Sequence, residues 1–409
     1  MNTRIQQLFH AMEKQSIAFI FSGDVIRKTA DQYYPFQVNK NFFYLTQLDL
    51  HQCVLVLVKH RQEDVILFAP TRTKEKEKWE GILPSFHDIK TITGIKDVRN
   101  KESFESFHQA IFSTLRDATF GNLSHLYTDI SVPERMCAEE VMFVNQIKTY
   151  YPEISIHTLS HQFKKLRTFK DEQEIDTIKK AIDITHQGLN SLLATLKNEK
   201  KEHALHASFL HKIHQHQAKE AFDTIIASGK HATILHYVDN NDTIPHDGLV
   251  LCDLGAQINQ YNADITRTYP ASGVFTERQK QLYQMVLDVN QTMIEWVKPG
   301  RSFKDFKEKG KQLLAEKALQ IGLINQLDDI SQYYYHGLGH HLGLDVHDPC
   351  DYDELMQEGM ILTVEPGIYI EEEGIGIRIE DDVLITKTGS INLSKDIPKS
   401  IEAIEALFK

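Results

Sequence analysis

Apolar and polar positions along the chain change period several times, and each change predicts an element. Between Met1 and Lys14, Leu8, Phe9 and Met12 fall among Arg4, Gln6, Gln7 and Glu13, an amphipathic helical spacing. Three short apolar runs follow that suit strands: Ser16–Ser22, Cys53–Lys59 and Asp64–Pro70. Helical spacing returns around Lys101–Ala118 and Val132–Ile147. Alternation of this kind through the first ~165 residues predicts an α/β layer.

A charged stretch, Lys164 to Lys180, then opens a long helical region running to about Gln217, with Ile175, Ile178, Ala181, Ile182 and Ile184 on its inward face. Thr168-x-x-Asp171 and Asp171-x-x-Glu174 both have the spacing of a capping box, which sets a domain boundary at 165–170. Beyond 222 the pattern is strand-rich at Phe222–Ser228, Leu249–Ile258 and Tyr261–Tyr269. Helices are expected at Thr276–Val297 and Ser302–Gly322, and strand-like segments at Tyr335–His347, Met360–Ile370 and Gly376–Thr386. Helices followed by a carboxylate-bearing hairpin thus occur twice.

With 409 residues, the chain is long enough for two or three domains. Its 57 acids against 45 bases give a net charge of −12 with no clustered basic stripe, which argues against a nucleic-acid partner. The apolar run Cys53–Val58 is a strand's length, far short of a membrane span, and the N-terminus lacks a signal-peptide core, so no membrane association is expected. Cys53, Cys137, Cys252 and Cys350 show no CxxC spacing, and Cys53 and Cys252 lie in apolar runs. They read as buried free thiols in a reducing, cytoplasmic setting.

Two pairs of acids carry the chemistry. A hairpin centred near Ile258-Asn259 makes Asp253 and Asp264 directly opposed partners, with Cβ atoms ~5 Å apart on one face. Like charges so close repel unless a cation lies between them. Two bridged ions ~3.5–4 Å apart would fit that gap. The alternative is two solvent-facing aspartates on a hairpin. Glu365 ends an apolar strand before Pro366-Gly367, and Glu380 is flanked by Ile379 and a Val-Leu-Ile run, so a buried acid needing a strong partner is expected there.

The segment His336-Gly-Leu-Gly-His340-His341-Leu-Gly-Leu-Asp-Val-His347 supplies imidazoles. Its His336/His340 spacing superficially fits a helical zinc-protease pattern. Gly337 and Gly339 disfavour a helix, and no Glu follows His336, so a Gly-bent loop or strand is expected. Taken by itself, His236 reads as a core histidine. His203, His206, His211, His214 and His216 read as a solvated helix face.

At these residues the sequence resembles the pita-bread metallopeptidases, specifically aminopeptidase P and prolidase. The matching segments are Ile234–Tyr237, Leu251–Ala256, Ala263–Thr268, His336–His340, Leu344–Asp348, Thr363–Tyr369 and Gly376–Asp382. They appear in the family's order. Thr29–Phe36 and Asn41–Thr46 resemble the aminopeptidase P N-terminal domain in particular.

The resemblance implies an α/β N-terminal domain over residues 1–167 and an α+β pita-bread catalytic domain over 168–409. It implies five metal ligands, Asp253, Asp264, His340, Glu365 and Glu380, holding two divalent ions. A mostly oxygen donor set favours Mn²⁺, with Co²⁺ or Zn²⁺ as alternatives. The implied reaction is attack of a metal-bridging hydroxide on the bond before proline. Glu365 would carry the proton to the leaving nitrogen, His236 and His347 would steady the oxyanion or the substrate, and His336 would line the pocket. Tyr369 and Arg378 complete the implied substrate-binding set. Arg378 also lies two residues before Glu380, placed to orient the ligand carboxylates. A homodimer or homotetramer through the N-terminal domain is a further implication.

A dedicated dipeptidase pairs the substrate's C-terminal carboxylate with a cation, often an Arg between the positions of His347 and Glu365. Residues 348–364 contain no Lys or Arg and five acids. This favours an aminopeptidase acting on peptides with proline at the second position, with Xaa-Pro dipeptidase as the alternative. The segment Ile370–Gly374 is short for the family, and His341 stands where an aromatic residue is expected. A binding protein that kept the fold without catalysis would have lost ligands, and none is lost.

Overall fold

The structure, a computed structural model, describes residues 3–112, 120–130 and 139–409. The chain divides into two compact units, Met1–Leu166 and Arg167–Lys409.

The first unit is built on a six-stranded sheet. Its strands run in the order Asp97–Asn100, Glu63–Ala69, Val54–Lys59, Ser16–Phe21, His125–Thr128 and Ser155–Thr158. The three apolar runs of the sequence form adjacent antiparallel strands at its centre, and parallel pairs extend it on both sides. Ser16–Phe21 and most of Val54–Lys59 are buried on both faces, as continuous apolar runs require. Phe19, Phe21 and Phe68 pack with Phe104 and Phe143 into an aromatic core, with ring centroids 4.7 to 6.1 Å apart.

The amphipathic N-terminus is a helix over Thr3–Ala11 that buries Ile5, Leu8 and Phe9. The helical stretches expected at 101–118 and 132–147 are seen as Phe104–Phe112 and Glu139–Tyr150; residues 113–118 and 132–138, and Cys137, lie outside the described residues. Short helices at Lys40–Thr46, Lys74–Glu80 and Phe86–Thr93 escape a periodicity reading, because seven or eight residues complete barely two turns.

The expected long helical region is three helices: Ser160–Thr168, which ends just past the boundary, then Glu172–Leu196 and Glu202–Gln215 in the second unit. Of the two capping-box candidates, Asp171 is the one that starts a helix. Its side chain accepts from the Glu174 amide at 3.0 Å, and Glu174 reaches back to the Asp171 amide at 3.0 Å. Thr168 instead ends the preceding helix.

The twofold alternation of helices and hairpins is present. Glu172–Leu196 and Glu202–Gln215 precede the antiparallel pair Leu249–Leu254/Ile265–Pro270. Glu277–Trp296 and Phe303–Gln320 precede the pairs Ile361–Val364/Asp381–Ile385 and Gly367–Ile370/Ile375–Arg378. The strand-like reading of Tyr335–His347 is corrected. That segment is loop, with a single bridge from His341 to Leu362, because its three glycines leave it without a continuous ladder. Among the described residues, no helix is long and apolar enough to cross a membrane.

Candidate metal centre

The first hairpin turns at Asn259-Gln260, both in the left-handed region with φ of 47° and 68°. A two-residue turn with positive φ at both positions matches the right-handed twist of its strands. The centre is therefore one residue later than expected at Ile258-Asn259. The consequence is a correction: Asp253 pairs with Thr266, and Asp264 is its diagonal neighbour on the same face.

In the second hairpin, Val364 pairs with Asp381 and Gly367 with Arg378. That register sets Glu365 opposite Glu380, at the break between the two short ladders. Asn290, buried on the Glu277–Trp296 helix, donates to Val364 O at 3.0 Å and Ile379 O at 3.1 Å. One amide thus ties down the residue before each glutamate.

The histidine loop is pressed against the same strand. Thr363 N donates to His340 O at 2.9 Å, and Glu365 N to Leu338 O at 2.8 Å. The approach needs Gly339, since a Cβ there would stand 2.0 Å from Thr363 O. His340 Nδ1 faces the His341 carbonyl at 3.0 Å, so Nδ1 carries the proton and the Nε2 lone pair points to the acids. Nε2 lies 3.4 Å from Asp264 Oδ2 and 3.8 Å from Glu365 Oε1. Asp264, His340 and Glu380 are buried and offer ligand atoms all within 4.8 Å of one another.

The electrostatics call for a cation. Burial first, then Asp253, raises the Asp264 carboxyl well above the ordinary range. Burial and Asp264 do the same to Glu380. Glu365 is pushed up to about 8 by burial and by Glu380. Asp253 Oδ1 is buried with no hydrogen-bond partner, although Oδ2 accepts from Arg378 at 2.6 Å. Crowded acids, an orphaned oxygen and an imidazole lone pair aimed between them fit a divalent cation.

Arg378 reaches three groups. Besides Asp253 it donates to Tyr369 Oη at 2.9 Å and Thr266 Oγ1 at 3.2 Å, and Thr266 Oγ1 donates to Glu380 Oε2 at 2.7 Å. Tyr369 Oη in turn meets His336 Nε2 at 2.8 Å. Burial holds the His336 imidazole neutral, down to about 3. His347 packs its ring 4.0 Å from that of His340, and burial with the neighbouring His340 and His236 lowers it to about 4.

His236 is not a core histidine. It is exposed in the turn after Gly229–Thr233, where backbone rather than side chain is packed, with Gly376 close against Ala232 O. The helix-face reading of His203, His211, His214 and His216 agrees with their exposure, but His206 is half-buried and bonded to Glu220 at 2.7 Å. His341 is buried and stacks on Phe303 with centroids 5.0 Å apart.

Four residues of the site escaped the sequence reading. Thr266 carried a signal, since it follows Asp264 at strand period. Asn290 on its helix, Tyr334, whose buried hydroxyl lies without a partner beside Glu365, and Asp382, which accepts from the Asp264 amide at 3.2 Å, carried none.

The fold and this cluster define a metallopeptidase. The chain belongs to metallopeptidase family M24, whose model matches residues 176–387, and the aminopeptidase P N-terminal domain matches residues 1–119. It is 31% identical to the Xaa-Pro aminopeptidase of Haemophilus influenzae, over 99% of this chain and 96% of that protein. The human Xaa-Pro aminopeptidase 3 is 28% identical over 95% of this chain and 80% of its own length. Among solved structures, a Bacillus anthracis chain assigned to aminopeptidase P superposes with a TM-score of 0.94 at 40% identity, covering 99% of this chain and 97% of that one. Escherichia coli aminopeptidase P with the inhibitor Pro-Leu gives 0.88 at 28% identity, over 99% and 97%. The pita-bread architecture expected for the second unit is that of these neighbours.

Proposed function

We propose that this protein is a metal-dependent Xaa-Pro aminopeptidase, releasing the N-terminal residue from peptides with proline second. The observation that carries the reading is the buried cluster of Asp264, His340 and Glu380, with ligand atoms within 4.8 Å of one another, Glu365 3.8 Å from His340 Nε2, and that nitrogen left free to coordinate. Asp253, Asp264, His340, Glu365 and Glu380 would hold two divalent ions. Four carboxylates and one imidazole favour Mn²⁺ on hardness, with Co²⁺ or Zn²⁺ as substitutes. Bound ions supply Lewis acidity to the scissile carbonyl and lower the pKa of water.

The chain's own residues do the rest. Glu365, ionised once cations offset the neighbouring acids, takes a proton from the attacking water and passes it to the proline nitrogen. That nitrogen belongs to a tertiary amide and cannot leave without a proton. His236 and His347, at the rim, donate to the carbonyl oxygen as it gains charge. The chain of contacts His336–Tyr369–Arg378 walls the pocket and keeps Asp253 aimed inward. Arg378 is committed to these partners, and residues 348–364 hold no cation, which favours peptides longer than two residues over a dipeptide carboxylate. We place the protein in the cytoplasm as a homodimer or homotetramer; a monomer in light scattering would overturn the oligomer.

The test is hydrolysis of Xaa-Pro against Xaa-Pro-Xaa peptides in Mn²⁺, with a chelated control. Tripeptide cleavage lost on chelation is the expected result. Cleavage of the dipeptide alone would make the protein a prolidase, and cleavage of neither, with metal bound, would sink the proline assignment and leave only the dinuclear site.

A further inference from the structure

A second group of metal-binding side chains lies in the first unit, on elements that contribute nothing to the centre described above. The strand Ser155–Thr158 is the edge of the six-stranded sheet and runs parallel to His125–Thr128. Tyr127 pairs with His157, so His125, Tyr127 and His157 project from the same face. The two imidazoles meet there, with His125 Nδ1 3.1 Å from His157 Nε2. On the far side of the His125 ring, Glu13 Oε2 lies 3.5 Å from Nε2. Ligand atoms from Glu13, His125 and His157 all fall within 4.8 Å of one another.

Three features show that this meeting is built rather than accidental. The His157 ring stacks on Tyr127, centroids 4.8 Å apart and planes 22° from parallel, which fixes its orientation. The Tyr127 hydroxyl accepts from the Glu13 amide at 3.3 Å, and Ser16 Oγ donates to Glu13 O at 2.6 Å. Gln15, in the left-handed region at φ 58°, turns its carbonyl to accept from Ser124 N at 2.8 Å and His125 N at 3.3 Å. The backbone carrying Glu13 is thereby tied to the strand carrying His125 on both sides of the cluster.

We propose that Glu13, His125 and His157 form a separate binding site for a zinc-class divalent cation. Tetrahedral ligands ~2.0–2.1 Å from zinc lie ~3.3 Å from one another. With one donor atom taken from each of Glu13, His125 and His157 the three lie within 4.8 Å, and the exposed Glu13 side chain turns towards the ring nitrogen that faces His157 to close that spacing. Two imidazoles and one carboxylate select Zn²⁺, Co²⁺ or Ni²⁺ over Mn²⁺ or Mg²⁺, the reverse of the oxygen-rich centre in the second unit. Glu13 is 62% exposed, so water completes the coordination. The ion joins the end of the Thr3–Ala11 helix to the sheet's last two strands, a cross-link where an edge strand has one neighbour instead of two.

The test uses the full chain and does not depend on the proposed activity. In an Asp264→Asn/Glu380→Gln background, which removes the central ligands of the other site, the chain is dialysed against zinc chloride and its metal content counted. One zinc ion per chain, lost when His157→Ala is added, is expected. Zinc content unchanged by His157→Ala, or no zinc in a background chain that keeps its circular dichroism, would overturn the proposal. Where that background fails to fold, the natural and His157→Ala chains are compared after saturation with Zn²⁺. A difference of one ion per chain, with an upward melting shift on zinc in the natural chain alone, supports the site, and equal counts sink it.

Discussion

Arg378 is the side chain that orders the acids of the site. Its guanidinium is fully buried, and its three directions of donation meet Asp253, Tyr369 and Thr266. The Asp253 oxygen it does not touch has no other partner. Arg378→Ala therefore leaves an acid doubly unpaired beside three others, and Arg378→Lys cannot restore a planar fork. Losing such an orienting partner typically costs ~10–100-fold in metal affinity or activity. Calorimetric titration with Mn²⁺ and kcat on an Xaa-Pro-Xaa peptide should both fall in Arg378→Ala. A rise in KM with metal affinity and kcat intact would assign Arg378 to the substrate instead. The residue types at the site were legible because a carboxylate between apolar neighbours demands a partner wherever the chain goes. Exposure was less so: His236 sits in an apolar-looking stretch yet faces solvent.

At the scale of elements, the two short ladders of the second hairpin are held where they break. Asn290 supplies both amide hydrogens to carbonyls beside Glu365 and Glu380, and Lys399 donates to its Oδ1 at 2.7 Å. Asn290→Ala would strand two buried carbonyls, each costing ~1–3 kcal/mol. A loss of about 2 kcal/mol or more in urea unfolding is expected, with weaker metal retention in the folded fraction. Stability within about 0.5 kcal/mol of the natural chain would show that water replaces the amide. Most helices and strands were readable, because period is a local property. Strand register was not: the Asn259-Gln260 turn needs positive φ at two residues that ordinarily avoid it, and only pairing along the whole hairpin stabilises that choice.

Across the second unit, the histidine loop is anchored by charge. Asp348, fully buried, accepts from Arg167 at 2.6 Å and Lys170 at 3.0 Å. Burial alone would raise its carboxyl, but Arg167 and Lys170 outweigh it and hold it at about 2 against an ordinary 3.8. A carboxyl lowered in the folded state stabilises above its unfolded pKa and loses that contribution as pH falls through the folded value. The shift corresponds to about 2 kcal/mol, present above pH ~4 and lost towards pH ~2. Asp348→Asn should lower stability at neutral pH and remove that portion of the acid slope, read from urea midpoints between pH 2 and 6. An unchanged slope would mean that the network titrates elsewhere.

The sequence by itself determined the inventory: two pairs of acids among apolar neighbours, a Gly-bent run of histidines, a helix start at Thr168 or Asp171, buried central strands and two carboxylate-bearing hairpins. These follow from side-chain type and local period, which act over a few residues. Only the tertiary structure decided which atoms meet. It set Asp253 diagonal to Asp264, brought Asn290 onto two strands and Arg378 onto three partners, and carried Glu13 to His125 and His157. Most of those contacts join segments far apart in the chain, and even within a hairpin the register is selected by packing whole elements together, which no local pattern records.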